Sequence, residues 1–174
     1  YDGRDRCINL GACCSGCTQG AKASTDITYW PLAIRAGVEL RTRCRVREIT
    51  VGDDGMATGV IYFDADGREQ RQEAEVVVVA CNGIGTPRLL LNSRSRQFPD
   101  GLANSSGLVG RNLMFHPYAL VEGLFDEPLD GPRGPHKSIS SHQFYETDAS
   151  RGFIRGFSFE MHRGRGPVNT AMRG

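Results

Sequence analysis

Two short stretches of the chain hold residue types that can do chemistry. In VVVVACNGIGTPRLLLNS, residues 76–93, four valines run into a small-residue turn with two glycines, and the turn runs into Thr86, Pro87 and three leucines. Thr86 offers an N-cap oxygen and Pro87 fits the first helical position, where a missing N–H costs nothing, so the pattern predicts a helix over about 87–93. A strand, a glycine turn and a helix start make a corner hospitable to an anion: N–H groups point outward, the helix dipole is positive there, and glycines let a ligand approach the main chain. A tight βα connection uses the same residues, so the turn alone leaves both readings open.

The second stretch, CINLGACCSGC, places Cys7, Cys13, Cys14 and Cys17 close together. Thiolates at such short spacing can ligate zinc or an iron–sulfur cluster. The spacing matches neither paired CxxC knuckles nor a ferredoxin run, and no suitably spaced His follows, so buried thiols or one disulfide are preferred and no metal ligand is assigned. Cys44 and Cys81 lie in or beside apolar strand-like segments and read as small buried hydrophobes. Among the histidines, His116 reads as a hydrogen-bonded structural residue, whereas His136, His142 and His162 read as solvated. Asn104-Ser105-Ser106 is a glycosylation triplet with meaning only in a secreted protein. Arg151, Arg155, Arg163 and Arg165 punctuate a glycine-rich tail and read as a solvated face.

The elements that must position these residues follow from periodicity and turn chemistry. Residues 1–25 are loop-like. Ser24, Thr25 and Asp26 offer cap oxygens for a helix over roughly 27–36, with Pro31 in its first turn, Ala33, Ile34 and Ala36 on its inward side, and Gly37 ending it. Beyond it, Asp53-Asp54-Gly55 and Asp64-Ala65-Asp66-Gly67 separate β-branched runs, the expected sign of consecutive hairpins. The result is an antiparallel three-stranded meander whose last polar stretch, REQRQEAE, is an exposed ribbon feeding Val76–Val79. That run is apolar without alternation, as for a strand covered on both faces in a parallel sheet. In the tail, HPYALVEGLF and FIRGFSFEM read as strands around a long loop, DEPLDGPRGPHKS. The fold class is therefore mixed α+β and α/β.

Composition sets the outer bounds. With 174 residues, 39% hydrophobic content and a net charge of +1, the chain has the make-up of a globular domain with one sizeable core and no nucleic-acid signature. No apolar run reaches the roughly 18 residues of a membrane helix, and the start shows no signal-peptide pattern. The compartment, cytoplasm or periplasm, stays open.

Taken in order, GCTQGAKAST, the meander ending in VVVVA, GIGTPRLLLNS and SGLVGRNLMFHP resemble the glucose-methanol-choline (GMC) family of flavin oxidoreductases across residues 7–117. Gly85–Ser93 is similar to the family's second signature, with Asn82 and Gly83 in place of Gly-Ala and Arg94 after Ser93 in place of glycine. The cysteine-rich opening resembles the cholesterol-oxidase, long-chain-alcohol and bacterial sugar-dehydrogenase branches more than fungal glucose oxidase. The resemblance implies FAD as cofactor and a small-molecule alcohol or sugar as substrate, with the hydride passing to flavin N5 and the hydroxyl proton to a base. It further implies that main-chain groups of Val46 pair with the adenine edge, and that Ala80, Cys81, Asn82 and Gly83 line the approach to the adenosine and diphosphate. The family's N-terminal GxGxxG and the segment with its catalytic histidine are not in the sequence, and the first residue is Tyr1. The expectation is a central slice of a flavoenzyme: a junction loop at 1–25, part of the FAD-binding domain at 26–115 and part of the substrate domain at 116–174. It carries no catalytic residue, is inactive alone, and has no assigned electron acceptor. A cysteine-held metal module and a non-catalytic β-rich binding domain are the alternatives.

Overall fold

In the computed structural model of the protein the described residues are 4–11, 13, 16–121, 123, 125–128, 134–135, 137–152 and 154–162. In chain order they form helices α1 (Thr25–Thr28) and α2 (Trp30–Arg35), strands β1 (Arg45–Val51), β2 (Ala57–Phe63) and β3 (Glu69–Glu73), helix α3 (Asn82–Asn92), and strands β4 (Lys137–Ser141) and β5 (Phe159–His162). These elements fall into two compact units, one of residues 40–120 and one of residues 1–39 with 121–174.

The meander is present as read. In the first unit β1, β2 and β3 lie side by side, each antiparallel to the next. The two aspartate–glycine turns close it: Met56 N–H donates to Asp54 Oδ1 at 3.0 Å, and Asp64 Oδ1 accepts from the N–H groups of Asp66 (3.0 Å) and Arg68 (2.9 Å). These are Asx-type contacts, in which a short polar side chain substitutes for a backbone partner. Gly55 and Gly67 supply the positive φ that each turn needs, 80° and 78°. Gly59, inside β2, has a stricter reason to be glycine, since at φ 150° an added Cβ would strike the Gln72 carbonyl of β3. All five residues of β3 are exposed, as expected for the polar ribbon.

One side chain ties α3 to the sheet. The Ser93 hydroxyl donates to Leu89 O at 2.7 Å and accepts from Ile49 N–H at 2.9 Å, so a donor on the outer edge of β1 is satisfied by the residue ending the helix. Ile49 and Leu89 are the buried apolar residues here, at 7% and 8% exposure. Just beyond the helix, Leu102 N–H donates to Leu90 O at 2.9 Å, and Gln97 Nε2 donates to Asp53 O at 2.5 Å, which fastens the segment after α3 to the first hairpin turn.

Several expectations need correction. Val76–Val79 is not a strand, and no strand among the described residues pairs with it; Val76 is 75% and Val78 83% exposed, while Val77 and Val79 are half-buried. Its continuous apolarity suits two covered faces, and the described neighbours cover only one. The same shortage explains why a single sizeable core is absent among the described residues, and why Cys81 is exposed. The helix read as 87–93 begins five residues earlier, at Asn82, and keeps Pro87 inside it.

In the other unit, the helix expected over 27–36 starts at Thr25 and is interrupted at Tyr29. Pro31 has no N–H to donate to Ile27 O, so the helical ladder breaks there and restarts with proline in its first turn. Gly37, at φ 91°, closes α2 as expected, with Val38 N–H reaching Ala33 O at 3.0 Å. Ile34 and Ala36 are exposed, so the inward side assigned to this helix is not buried. Of the tail strands, residues 116–121 form no strand and join no sheet among the described residues, β5 covers only the end of FIRGFSFEM, and its partner β4 begins inside the expected loop. Phe144, Phe157 and Phe159 cluster beside this hairpin, with Phe144 and Phe157 stacked at 5.4 Å.

Candidate cofactor-binding corner

The corner is built from the start of α3 and the first residues of β1. Asn82 sits at φ 60°, a left-handed conformation that asparagine tolerates better than most residues. Its Oδ1 accepts from Ile84 N–H at 2.9 Å and Gly85 N–H at 3.0 Å, the pattern of an N-cap. Asn82, not Thr86, therefore caps the helix, and it takes up two of the amides expected to face a ligand. The N–H groups of Asn82 and Gly83 have no partner among the described residues. Gly85 lies close beneath the turn, where a Cβ would come within 3.0 Å of Cys81 Cβ, while at Gly83 a Cβ would meet nothing within 4 Å. Ala80, Cys81, Asn82 and Gly83 are all exposed, and with Val76 and Val78 they form an open, mostly apolar strip ending in a bare helix turn.

Val46 reaches the α3 side of the sheet through an irregularity. It pairs with Tyr62, and Ile49 pairs with Val60, but the register shifts between Val46 and Glu48, leaving Arg47 as the extra residue of a bulge. Tyr62 and Val60 are two apart on β2 and share a face, so their partners Val46 and Ile49 share it as well, although three residues separate them. Without the bulge they would lie on opposite faces. Across that face Arg41 Nη1 donates to Tyr62 Oη at 3.0 Å and Gln72 Oε1 at 2.8 Å. Arg47 is held by Glu69 at 2.6 Å and Glu48 at 3.1 Å. No hydrogen bond among the described residues joins Val46 to Ala80–Gly83. Both are parts of the β1–α3 layer, whose anchor is Ser93, about 16 Å along the helix from Asn82 at 1.5 Å per residue.

A family model described as GMC oxidoreductase matches residues 2–118, a span that includes both β1 and the whole of α3. The chain belongs to the GMC oxidoreductase family. Among similar proteins of the GMC kind, 2-methyl-1,2-propanediol dehydrogenase of Mycolicibacterium austroafricanum is 41% identical, over 98% of this chain and 31% of that protein. The fructose dehydrogenase large subunit of Gluconobacter japonicus is 36% identical over 85% of this chain and 27% of its own length. Paromamine 6'-oxidase of Streptomyces fradiae is 37% identical over 74% and 24%. The chain thus spans about a third or less of the length of these GMC relatives.

The remaining sequence candidates lie elsewhere in this GMC chain. His116 is exposed and has no hydrogen-bond partner among the described residues, its ring 6.3 Å from Tyr118, so its structural reading is not met. His142 is exposed beside Tyr145, His162 pairs with Glu160 at 3.6 Å, and His136 lies outside the described residues. Arg151 is not a free solvated cation: it bridges Asp148 at 3.1 Å and lies 4.8 Å over the Phe144 ring. Arg155 is exposed, and Arg163 and Arg165 lie outside the described residues. The Asn104 carboxamide is committed to its own loop, donating to Asp100 O at 2.9 Å and accepting from Val109 N–H at 3.2 Å.

In the cysteine-rich loop Cys7, Cys13 and Cys17 are free thiols, and Cys14 lies outside the described residues. Among the described residues no three His, Cys, Asp or Glu side chains converge as metal ligands. Cys44 is half-buried and its thiol donates to Thr42 O at 3.4 Å. The Cys17 thiol is held below its usual pKa, above all by the Lys22 main-chain N–H, with some burial opposing and the N–H groups of Ala21, Gln19 and Gly20 adding to the effect. The four cysteines stand out in the sequence, but the effect of the turn's main-chain N–H groups on Cys17 arises only once the GCTQGAK turn has folded.

Proposed function

We propose that the protein is an FAD-dependent oxidoreductase acting on the CH–OH group of a small alcohol or sugar. On this reading residues 26–115 belong to a Rossmann-like FAD-binding domain, residues 116–174 to the substrate domain, and residues 1–25 to the loop at their junction. The observation that carries it is the GMC oxidoreductase match over residues 2–118, which takes in the whole candidate corner. The relatives' names point the same way, being those of a dehydrogenase of a propanediol, a fructose dehydrogenase and a paromamine oxidase.

The corner suits one part of the cofactor better than another. A turn with no side chain at Gly83 accommodates a flat ring system and close main-chain approach. Diphosphate capture by a full helix N-terminus is less well served, because Asn82 already occupies the Ile84 and Gly85 amides. We therefore assign Ala80, Cys81, Asn82 and Gly83 to the adenosine half of FAD, with the free Asn82 and Gly83 N–H groups as the remaining polar contacts, and Val46 main-chain groups to the adenine edge. When bound, FAD supplies the acceptor for the carbinol hydride. No residue of this chain is assigned as the base that takes the hydroxyl proton.

Substituting Gly83→Val tests the assignment cleanly. A Cβ at this position meets nothing within 4 Å among the described residues, so on the proposed assignment the valine crowds the bound cofactor. In the full-length protein Gly83→Val should fold with a normal unfolding midpoint and lose most of its FAD, read as flavin absorbance per monomer. Gly67→Ala, in the remote hairpin turn at φ 78°, should lose up to about 1 kcal/mol of stability and keep its flavin. Full occupancy in a folded Gly83→Val protein would overturn the cofactor assignment at these residues.

A further inference from the structure

We propose that Cys17 and Cys7 form a reactive thiol pair, in which Cys17 attacks low-molecular-weight disulfides and Cys7 resolves the product into an internal disulfide. Two observations place the roles. Cys17 follows Gly16 at the start of a tight turn, closed by Gly20 N–H on Cys17 O at 3.3 Å, and the main-chain N–H groups of that turn, Lys22 foremost, favour its thiolate. A half-exposed sulfur in such a turn stays within reach of a reagent. The second observation concerns Gln19, in the same turn. Its Nε2 donates to Arg6 O at 2.6 Å and its Oε1 accepts from Ile8 N–H at 3.2 Å, so one carboxamide pairs with the peptide groups on both sides of Cys7. The turn that activates Cys17 thereby holds the Cys7 backbone against itself.

The other thiols lack this combination. Cys44 donates its S–H to Thr42 O at 3.4 Å and is engaged within its own segment. Cys81 is exposed and belongs to the unit of residues 40–120. Cys7 itself is exposed and engaged with Asn9, its sulfur donating to Asn9 Oδ1 at 3.6 Å and accepting from Asn9 N–H at 3.4 Å, so it must leave Asn9 to reach Cys17. This suits the resolving role. In the first step the Cys17 thiolate attacks one sulfur of the small disulfide, forms a mixed disulfide and expels one small thiolate. In the second the Cys7 thiolate attacks Cys17 Sγ, the Cys7–Cys17 bond forms and a second small thiolate leaves. Two protein thiols are oxidised, the small disulfide is reduced to two thiols, and the two protons released by the protein are taken up by the departing thiolates.

The experiment uses the full-length protein with oxidised glutathione as the probe. Thiols remaining at each time are blocked with one alkylating reagent, and those released by later reduction are labelled with a second, read residue by residue by mass spectrometry. Cys17 and Cys7 should acquire the second label together, at least about tenfold faster than Cys81 and Cys44. Cys7→Ser should trap the glutathione adduct on Cys17, and Cys17→Ser should abolish rapid labelling of Cys7. A far-ultraviolet spectrum matching wild type establishes that each variant is folded. Equal reactivity of Cys81, linkage of Cys17 to Cys13 or Cys14 in place of Cys7, or iron bound to the purified loop cysteines would each overturn the pair.

Discussion

The meander of β1–β3 and the valine run that follows it sit within the same unit, and they differ in where their partners come from. Each meander strand finds its hydrogen-bond partner across a short turn, and Asp54 and Asp64 close those turns with their own carboxylates. Everything needed lies within a few residues. The run from Val76 to Val79 is the most apolar stretch of the chain, yet it joins no sheet among the described residues, with Val76 and Val78 open to solvent. Strong hydrophobic character does not place a strand unless partners flank it, because its N–H and C=O groups must also be paired. Hairpin order is therefore a local property of this sequence, and sheet burial is not.

The largest effect should come from the less local side of that contrast. On the proposed Rossmann-like fold, Val78 lies inside a covered sheet of the full-length protein. A charge placed there would be buried and unpaired, and Val78→Asp should destabilise by about 3 kcal/mol or more or prevent folding. Urea unfolding of the full-length variant measures this. A change within about 0.5 kcal/mol, as for an exposed site, would mean that the run stays open and that the sheet proposed around it is wrong.

Next in size is the Ser93 link between helix and sheet. Ser93→Ala removes the acceptor of Ile49 N–H and leaves a buried donor without a partner, which should cost about 1–3 kcal/mol. The same denaturation measurement reads it. Ser95→Ala removes a half-buried hydroxyl that accepts from Phe98 N–H within its own loop, at 3.1 Å, and should cost less. Equal losses would show that the α3 anchor is no stronger than an ordinary turn contact.

Asn82 separates conformation from capping at the candidate corner. Asn82→Gly keeps the left-handed backbone and loses the two side-chain bonds, for a few tenths of a kcal/mol. Asn82→Ala loses the bonds and strains the backbone as well, and should cost about 1–2 kcal/mol. The glycine variant also frees the Ile84 and Gly85 amides. On the proposed assignment FAD content should be maintained or raised in Asn82→Gly, and a loss of flavin there would show that the carboxamide itself touches the cofactor.

These comparisons also explain what could be read in advance. The two hairpins, the exposed β3 and the Gly37 stop were legible because aspartate, glycine and alternating side chains encode them over four to eight residues. At the corner, the glycine turn and helix were legible, and the cap was not: Thr86-Pro87 is a good local start signal, but Asn82 reaches two amides first and begins the helix one turn sooner. The face on which Val46 lies was hidden for another reason. It depends on a bulge at Arg47, whose side chain is held by Glu48 and by Glu69 on β3, a strand that Arg47 reaches only across the folded sheet. Ser93 reads as a polite helix-ending residue, and only the fold reveals that it satisfies a strand edge 44 positions away.

The smallest expected effect probes the most local feature, the second hairpin turn. The Asp64 carboxyl is held below the usual carboxylate range, first by the Arg68 N–H, then by the Gln70 side chain and the Asp66 N–H. A depressed folded-state pKa means that the unfolded chain binds its proton first as the pH falls. The contribution of Asp64 is thus fully present above about pH 4, the ordinary aspartate value, and is lost as the pH drops through the lower folded-state value. Asp64→Asn keeps an oxygen for the two amides but removes the charge that strengthens those bonds. The urea midpoint of Asp64→Asn should lie slightly below that of wild type at pH 7, and the gap should narrow as the pH falls from about 4 to 3. A gap that is unchanged or wider at pH 3 would show that the turn is held by its glycine geometry, with the carboxylate contributing nothing of its own.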